Sequence, residues 1–147
     1  MSQELIERFY AAFDRKDGDA MAACYHPQAR FSDPAFGELN GREVGDMWRM
    51  LTGRAADLSV ELREHDDASA RWIARYTFGR TGRKVVNDVQ ATFVFRDGLI
   101  AEHDDRFSFW TWSRQALGPV GLVLGWSPVL RSKVRSQARA DLEKFMA

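Results

Sequence analysis

Cysteine is almost missing from this chain. Cys24 is the only one in 147 residues, which excludes an internal disulfide framework and a multi-cysteine zinc site. Net charge is missing as well: 21 basic side chains balance 21 acidic ones, so no global field draws the protein to nucleic acid or an anionic membrane. Histidine is scarce, and His26, His65 and His103 match no metal-ligand spacing. No apolar run approaches the length of a membrane span, and the opening MSQELIERF has no signal-peptide core. These absences predict a single cytoplasmic α+β domain over residues 1–147, long enough to bury a core and needing no metal or cofactor.

What the chain has in quantity is pattern. Leu5, Ile6, Phe9, Tyr10 and Phe13 fall on one helical stripe. Asp17-Gly18-Asp19 interrupts it, and a second short helix is predicted to carry Met21, Cys24 and Tyr25. His26-Pro27 should end that helix, since a residue before proline is pushed out of the helical region. Ala29 to Asp33 alternates as a short strand stopped by Pro34, and Asn40-Gly41 leads into a helix with Val44, Met47, Trp48 and Leu51. From Leu58 the period becomes two. Four antiparallel strands follow, each with one apolar face, and the N-terminal helices are the cover available for that face. The expected architecture is a cone: a curved antiparallel sheet, mixed at its edge, wrapped around the helices, with an extra C-terminal helix.

The C-terminal part is less regular. Glycine punctuates SFWTWSRQALGPVGLVLGW, and Leu117 to Trp126 is too apolar for an ordinary exposed loop. It is predicted to pack over the cavity or across a subunit boundary, closing the pocket near Trp110. Ser127-Pro128 then starts a last helix, expected to bury Leu130, Val134, Ala138, Leu142 and Phe145. The basic residues of that helix read as a solvated face, or as one able to touch a membrane surface beside the apolar run.

The chemistry points to the last hairpin. VVNDVQATFVF and LIAEHDDRFSF flank Arg96-Asp97-Gly98. A three-residue loop would pair Phe95 with Leu99, Phe93 with Ala101, Ala91 with His103 and Val89 with Asp105. That register separates apolar from polar and leaves His103, Asp105 and Asn87 set among Phe93, Phe95, Val89 and Phe107. Residues two apart on a strand leave the sheet on the same side, about 6–7 Å apart. Histidine titrates near neutrality and a carboxylate in an apolar pocket has its pKa raised, a combination suited to proton transfer. Asp33 can join His103 and Asp105 in the same cavity, with Tyr10, Tyr25, Trp48, Asn87 and Phe93 as substrate-binding neighbours. The plainer alternative is that His103 and Asp105 satisfy each other as a buried pair while Asp33 braces the turn at Pro34.

The order of elements, with IERFYAAFDRKDGDAMAACYHPQARFSDP near the start and FVFRDGLIAEHDDRF near the end, resembles the nuclear transport factor 2-like superfamily over roughly Glu4 to Phe109. The nearest branches are the SnoaL-like and ketosteroid-isomerase-like ones. The resemblance implies that Asp33 matches the general base of ketosteroid isomerases. The two oxyanion-hole donors of those enzymes fall on Phe9, one residue from Tyr10, and near Ala91, neither of which can donate. Asp105 matches a catalytic aspartate of limonene-epoxide-hydrolase-like members, whose Arg-x-Asp has no counterpart here. His103 with Asp105 is similar in kind to the acid–base pair of SnoaL-like cyclases. The resemblance also implies a homodimer through the outer sheet face, here carrying Ile73, Thr92, Val94 and Ile100. Two functions follow: a cofactor-independent isomerase, cyclase, dehydratase or epoxide hydrolase acting on a small apolar or cyclic compound, or a binding or interaction module with the same cavity and no chemistry.

Overall fold

A computed structural model describes residues 2–147. The stripe on the first helix, α1 (Ser2–Asp14), is buried throughout. It is followed by α2 (Gly18–Ala22), β1 (Tyr25–Asp33), β2 (Gly37–Asn40) and α3 (Arg42–Arg54). Four strands come next: β3 (Ser59–His65), β4 (Ser69–Phe78), β5 (Arg83–Arg96) and β6 (Leu99–Arg106). The chain ends in α4 (Phe109–Leu117), α5 (Pro119–Leu124) and α6 (Pro128–Met146). The strands form one curved sheet in the order β2-β1-β6-β5-β4-β3, antiparallel except where β1 meets β6 in parallel. Its concave face closes on α1 and α3 around Phe9, Phe13, Phe31, Met47, Trp48 and Trp72. Glycine permits the close approach of α2 to α3. A Cβ on Gly18 would stand 2.7 Å from the Arg49 Cα, and one on Gly45 2.9 Å from the Ala22 Cβ.

The hairpin register differs from the expected one. Arg96 pairs with Leu99 across a two-residue turn, Asp97-Gly98, whose residues both have positive φ (55° and 73°). That is the mirror-image turn whose twist matches paired strands. By itself it would put Glu102 and Asp104 on the inner face. The ladder slips between Val94 and Phe95, however, and Ala101 is the extra residue on β6. This bulge flips the rest of the strand. Phe93 therefore meets His103, and Ala91 meets Asp105, with all four buried. The expected facing is kept and the expected pairs are not. Ile100, expected outside, pairs with Phe95 and is fully buried.

Other differences lie near the ends. Tyr25 opens β1 rather than closing α2, and His26-Pro27 lies within the strand. Proline is tolerated there because the β1–β6 register slips between Tyr25 and Arg30. The short strand β2 was not anticipated. The segment expected to be irregular forms α4 and α5, and a second apolar cluster gathers Val85, Phe109, Trp112 and Ala116. In α6, capped by Ser127 as expected, only Leu142 of the stripe is fully buried. Phe145 is 48% exposed, while Met146 beyond it packs against the main core. The 117–126 segment does not cover the cavity of its own chain: Val120, Leu122, Val123 and Trp126 are exposed.

Candidate functional site

Beneath the sheet, four side chains from three elements form one hydrogen-bonded line. Trp48 Nε1 of α3 stands 2.8 Å from the Tyr25 hydroxyl, which is 2.7 Å from His103 Nδ1. His103 Nε2 is 2.8 Å from Asp105 Oδ1. The network sets the direction of every proton in it. An indole N–H can only donate, so the Tyr25 oxygen accepts. The Tyr25 O–H then donates to Nδ1, and Nε2–H donates to the Asp105 carboxylate. Protonating Nδ1 would strand the Tyr25 hydrogen among apolar groups.

Aromatic packing keeps this line dry. Phe9, Phe31, Phe93 and Trp48 surround the His103 ring, with centroids between 4.5 and 6.3 Å away. The His103 side chain is wholly buried and both of its nitrogens are bonded. Burial pushes the Tyr25 phenol well up from its ordinary pKa, and the nearby Asp105 carboxylate adds to the effect.

Asp105 is the member of the line that reaches a cavity. An open hollow of about 470 Å³ lies at the ends of β1 and β6, under α6. Asp33, Asp104, Asp105, Phe107, Arg131 and Arg135 are among its walls. Asp33 ends β1, and its Oδ1 accepts the backbone N–H groups of Ala35 (2.9 Å) and Phe36 (2.6 Å). This is the turn brace that an aspartate before proline readily makes. Burial still outweighs these hydrogen bonds, and with the Asp105 charge nearby it raises the Asp33 carboxyl to about 7. Burial raises the Tyr76 phenol from its ordinary pKa, with a smaller contribution from the Asp33 charge, and its oxygen accepts a hydrogen bond from Trp112 Nε1 at 2.9 Å.

Of the residues singled out from sequence, Asp33 and Asp105 share the cavity wall, whereas His103, Tyr25 and Trp48 stand behind Asp105 and outside it. Phe93 packs on His103. Asn87 points inward on β5 but borders a different hollow of about 590 Å³. Tyr10 is buried near Asp105, and its hydroxyl and the neighbouring Trp72 Nε1 have no hydrogen-bond partner among the described residues. Arg131 and Arg135 were not anticipated as cavity residues, since nothing in a basic helical face shows which sheet end it will cover.

A cone of this shape, with acidic groups lining an open hollow at its end, defines a class of small α+β proteins. The sequence profile of the SnoaL-like domain matches residues 6–103, and the chain belongs to that family. No curated relative matches it in sequence. Among solved structures it is similar to TsrD from Streptomyces laurentii, at 28% identity over 77% of this chain and 92% of that one, with a TM-score of 0.62. It is also similar to an LEH-like epoxide hydrolase from M. tuberculosis (22% identity, 86% and 96% covered, TM-score 0.65). A third is a protein of ketosteroid isomerase-like fold from Catenulispora acidiphila in complex with trimethylamine (15% identity, 79% and 94% covered, TM-score 0.65).

Proposed function

We propose that this chain is a cofactor-independent acid–base enzyme acting on a small apolar or cyclic compound held in the cavity between Asp33 and Asp105. The observation that carries this reading is the one-way line of donors from Trp48 through Tyr25 and His103 to Asp105. It holds one carboxylate oxygen in place while the side chain meets the cavity. Asp105 is the catalytic base, taking a proton from substrate or from a bound water. Asp33, with a pKa of about 7, is the acid that returns a proton to the departing or developing oxygen. His103 is a positioning residue.

The family membership and the epoxide hydrolase among the similar structures support hydrolysis or isomerisation as the reaction type. Residues 1–147 form one such domain in this reading, with α4 to α6 as its own cover. A cytoplasmic homodimer through the outer sheet face goes with it, supported by Val86 (48%) and Val94 (52%) exposed there. Light scattering that returns only the 16.8 kDa monomer at micromolar concentration would remove the dimer.

The test is a panel of small epoxides, cyclic ketones and polyketide-like compounds, followed for conversion and separately for binding. Conversion that disappears in Asp105→Asn, with affinity kept within about tenfold, supports the assignment. Binding without conversion, or undiminished turnover in Asp105→Asn, leaves a binding module in the same cavity.

A further inference from the structure

The α4–α5 hairpin packs in the reverse of the usual sense. Its contact with α4 is made by glycine: a Cβ on Gly121 would lie 1.9 Å from the Ser113 carbonyl oxygen, and one on Gly125 2.3 Å from Ser113 Oγ. With glycines turned inward, the large side chains turn outward. Val120, Leu122, Val123, Leu124, Trp126 and Val129 are between 45% and 72% exposed. Soluble surfaces do not ordinarily gather six such residues within ten positions.

Within the segment that carries this patch the charge is of one sign. From Phe107 to Ala140 there are five basic residues (Arg114, Arg131, Lys133, Arg135 and Arg139) and no acidic one, in a chain whose total charge is zero. Arg83 lies against Gly118 beside them. Arg83, Arg114, Arg131, Lys133 and Arg135 are exposed, and none has a carboxylate partner among the described residues. Most other arginines of the molecule are ion-paired.

We infer that α5, Trp126 and the start of α6 form a docking surface for an anionic lipid bilayer. The apolar side chains enter the headgroup boundary, Trp126 sits at its level, and the unpaired arginines and lysine meet the lipid phosphates. No helix among the described residues is long and apolar enough to cross a membrane, so the contact is peripheral. A second copy is the poorer occupant. A two-fold contact here would gather two sets of like charge in one interface, where Arg114 and Lys133 have no carboxylate of the same segment to receive them. Arg131 and Arg135 also line the cavity, where they face its carboxylates Asp33, Glu38, Asp104 and Asp105, so docking puts the mouth of that hollow beside the lipid.

The full chain is tested by flotation with vesicles of phosphatidylcholine alone and with about 30% phosphatidylglycerol, together with light scattering without lipid. Each basic residue near an anionic surface contributes roughly fivefold to binding. Recovery on the anionic vesicles should exceed that on neutral ones by at least about tenfold, and fall as salt rises from about 0.1 to 0.5 M. Arg131→Gln with Lys133→Gln should cost roughly twenty-five-fold. Val123→Glu, at an exposed position where folding is not at stake, should abolish recovery. Equal binding to both vesicles, no binding to either, or a lipid-free dimer that Val123→Glu converts to monomer would overturn the inference.

Discussion

Replacing Asp33 by asparagine should make the protein more stable at neutral pH while stopping its chemistry. Asparagine keeps an oxygen for the Ala35 and Phe36 amides, so the turn survives. What it removes is the need to ionise a carboxyl in a poorly solvated place. The Asp33 pKa is raised from 3.8 to about 7, burial being the first cause. A group whose folded pKa lies above its unfolded one contributes fully to stability below the unfolded value. That contribution is lost as pH rises through the folded value. The window is therefore pH 4 to 7. At about 1.4 kcal/mol per unit, the parent loses up to about 4 kcal/mol across it. Asp33 is partly solvent-accessible, and a discount for screening brings this nearer to about 2 kcal/mol.

Urea unfolding of parent and Asp33→Asn at a series of pH values measures the difference directly. The two should agree within about 0.5 kcal/mol at pH 4 and diverge in favour of asparagine by about 2 kcal/mol at pH 8. Turnover of any substrate found should be lost in the variant. Stability gained where activity is lost is the mark of a residue retained for its chemistry. An asparagine variant less stable than the parent at pH 8 would show instead that Asp33 is a charged brace, and would remove the acid from the proposed mechanism.

Three further outcomes follow from the packing. His103→Gln should lower kcat far more than it raises KM, because it releases Asp105 without touching the cavity; equal effects on both would argue against positioning. Tyr25→Phe leaves the Trp48 N–H and His103 Nδ1 unpaired in an apolar shell, which should cost about 2–4 kcal/mol in chemical denaturation; a cost below about 0.5 kcal/mol would mean the line is not closed in solution. Gly121→Ala should destabilise by at least about 1–3 kcal/mol, since its methyl would overlap the Ser113 carbonyl, whereas Gly53→Ala, with open space around it, should not. Equal melting temperatures for the two glycine variants would contradict the hairpin packing.

Much of the cone was legible because its strands and helices each carry a clean period. The hairpin shows where legibility stopped. Separating apolar from polar residues identified the inner face, so Phe93, Ala91, His103 and Asp105 were placed correctly by facing. The means was misread: Asp97-Gly98 is a strong two-residue turn signal, and only a bulge at Ala101 reconciles it with that face. No residue type announces a bulge at alanine. Pro27 misled in the other direction, because a proline was taken as the end of α2 when it occupies a stretch of strand with no donor to supply. In α5 the hydrophobic residues were expected to close the cavity or to pack across a subunit boundary; glycine takes the side toward α4 and sends them outward, which removes the first of the two.

The division of labour between the two carboxylates is where sequence and geometry meet. The chain has phenylalanine and alanine at Phe9 and Ala91, where the ketosteroid-isomerase pattern places oxyanion donors. Both positions now serve packing, Phe9 against the His103 ring and Ala91 opposite Asp105. In place of those donors the same core is organised around a different polar line, on which the proposed chemistry rests. Its last donor, His103 Nε2–H, has been committed to Asp105, so histidine has no proton or lone pair left for substrate. In the proposed mechanism Asp105 is therefore the group that touches it. Asp33 is supplied differently, with two backbone donors on one oxygen and a carboxyl that is half protonated near neutrality. One acid held by a side-chain line and one held by a turn, opening on one cavity, is an arrangement that can take a proton at one end and return it at the other. A buried His–Asp pair present for stability alone would have no need of the second.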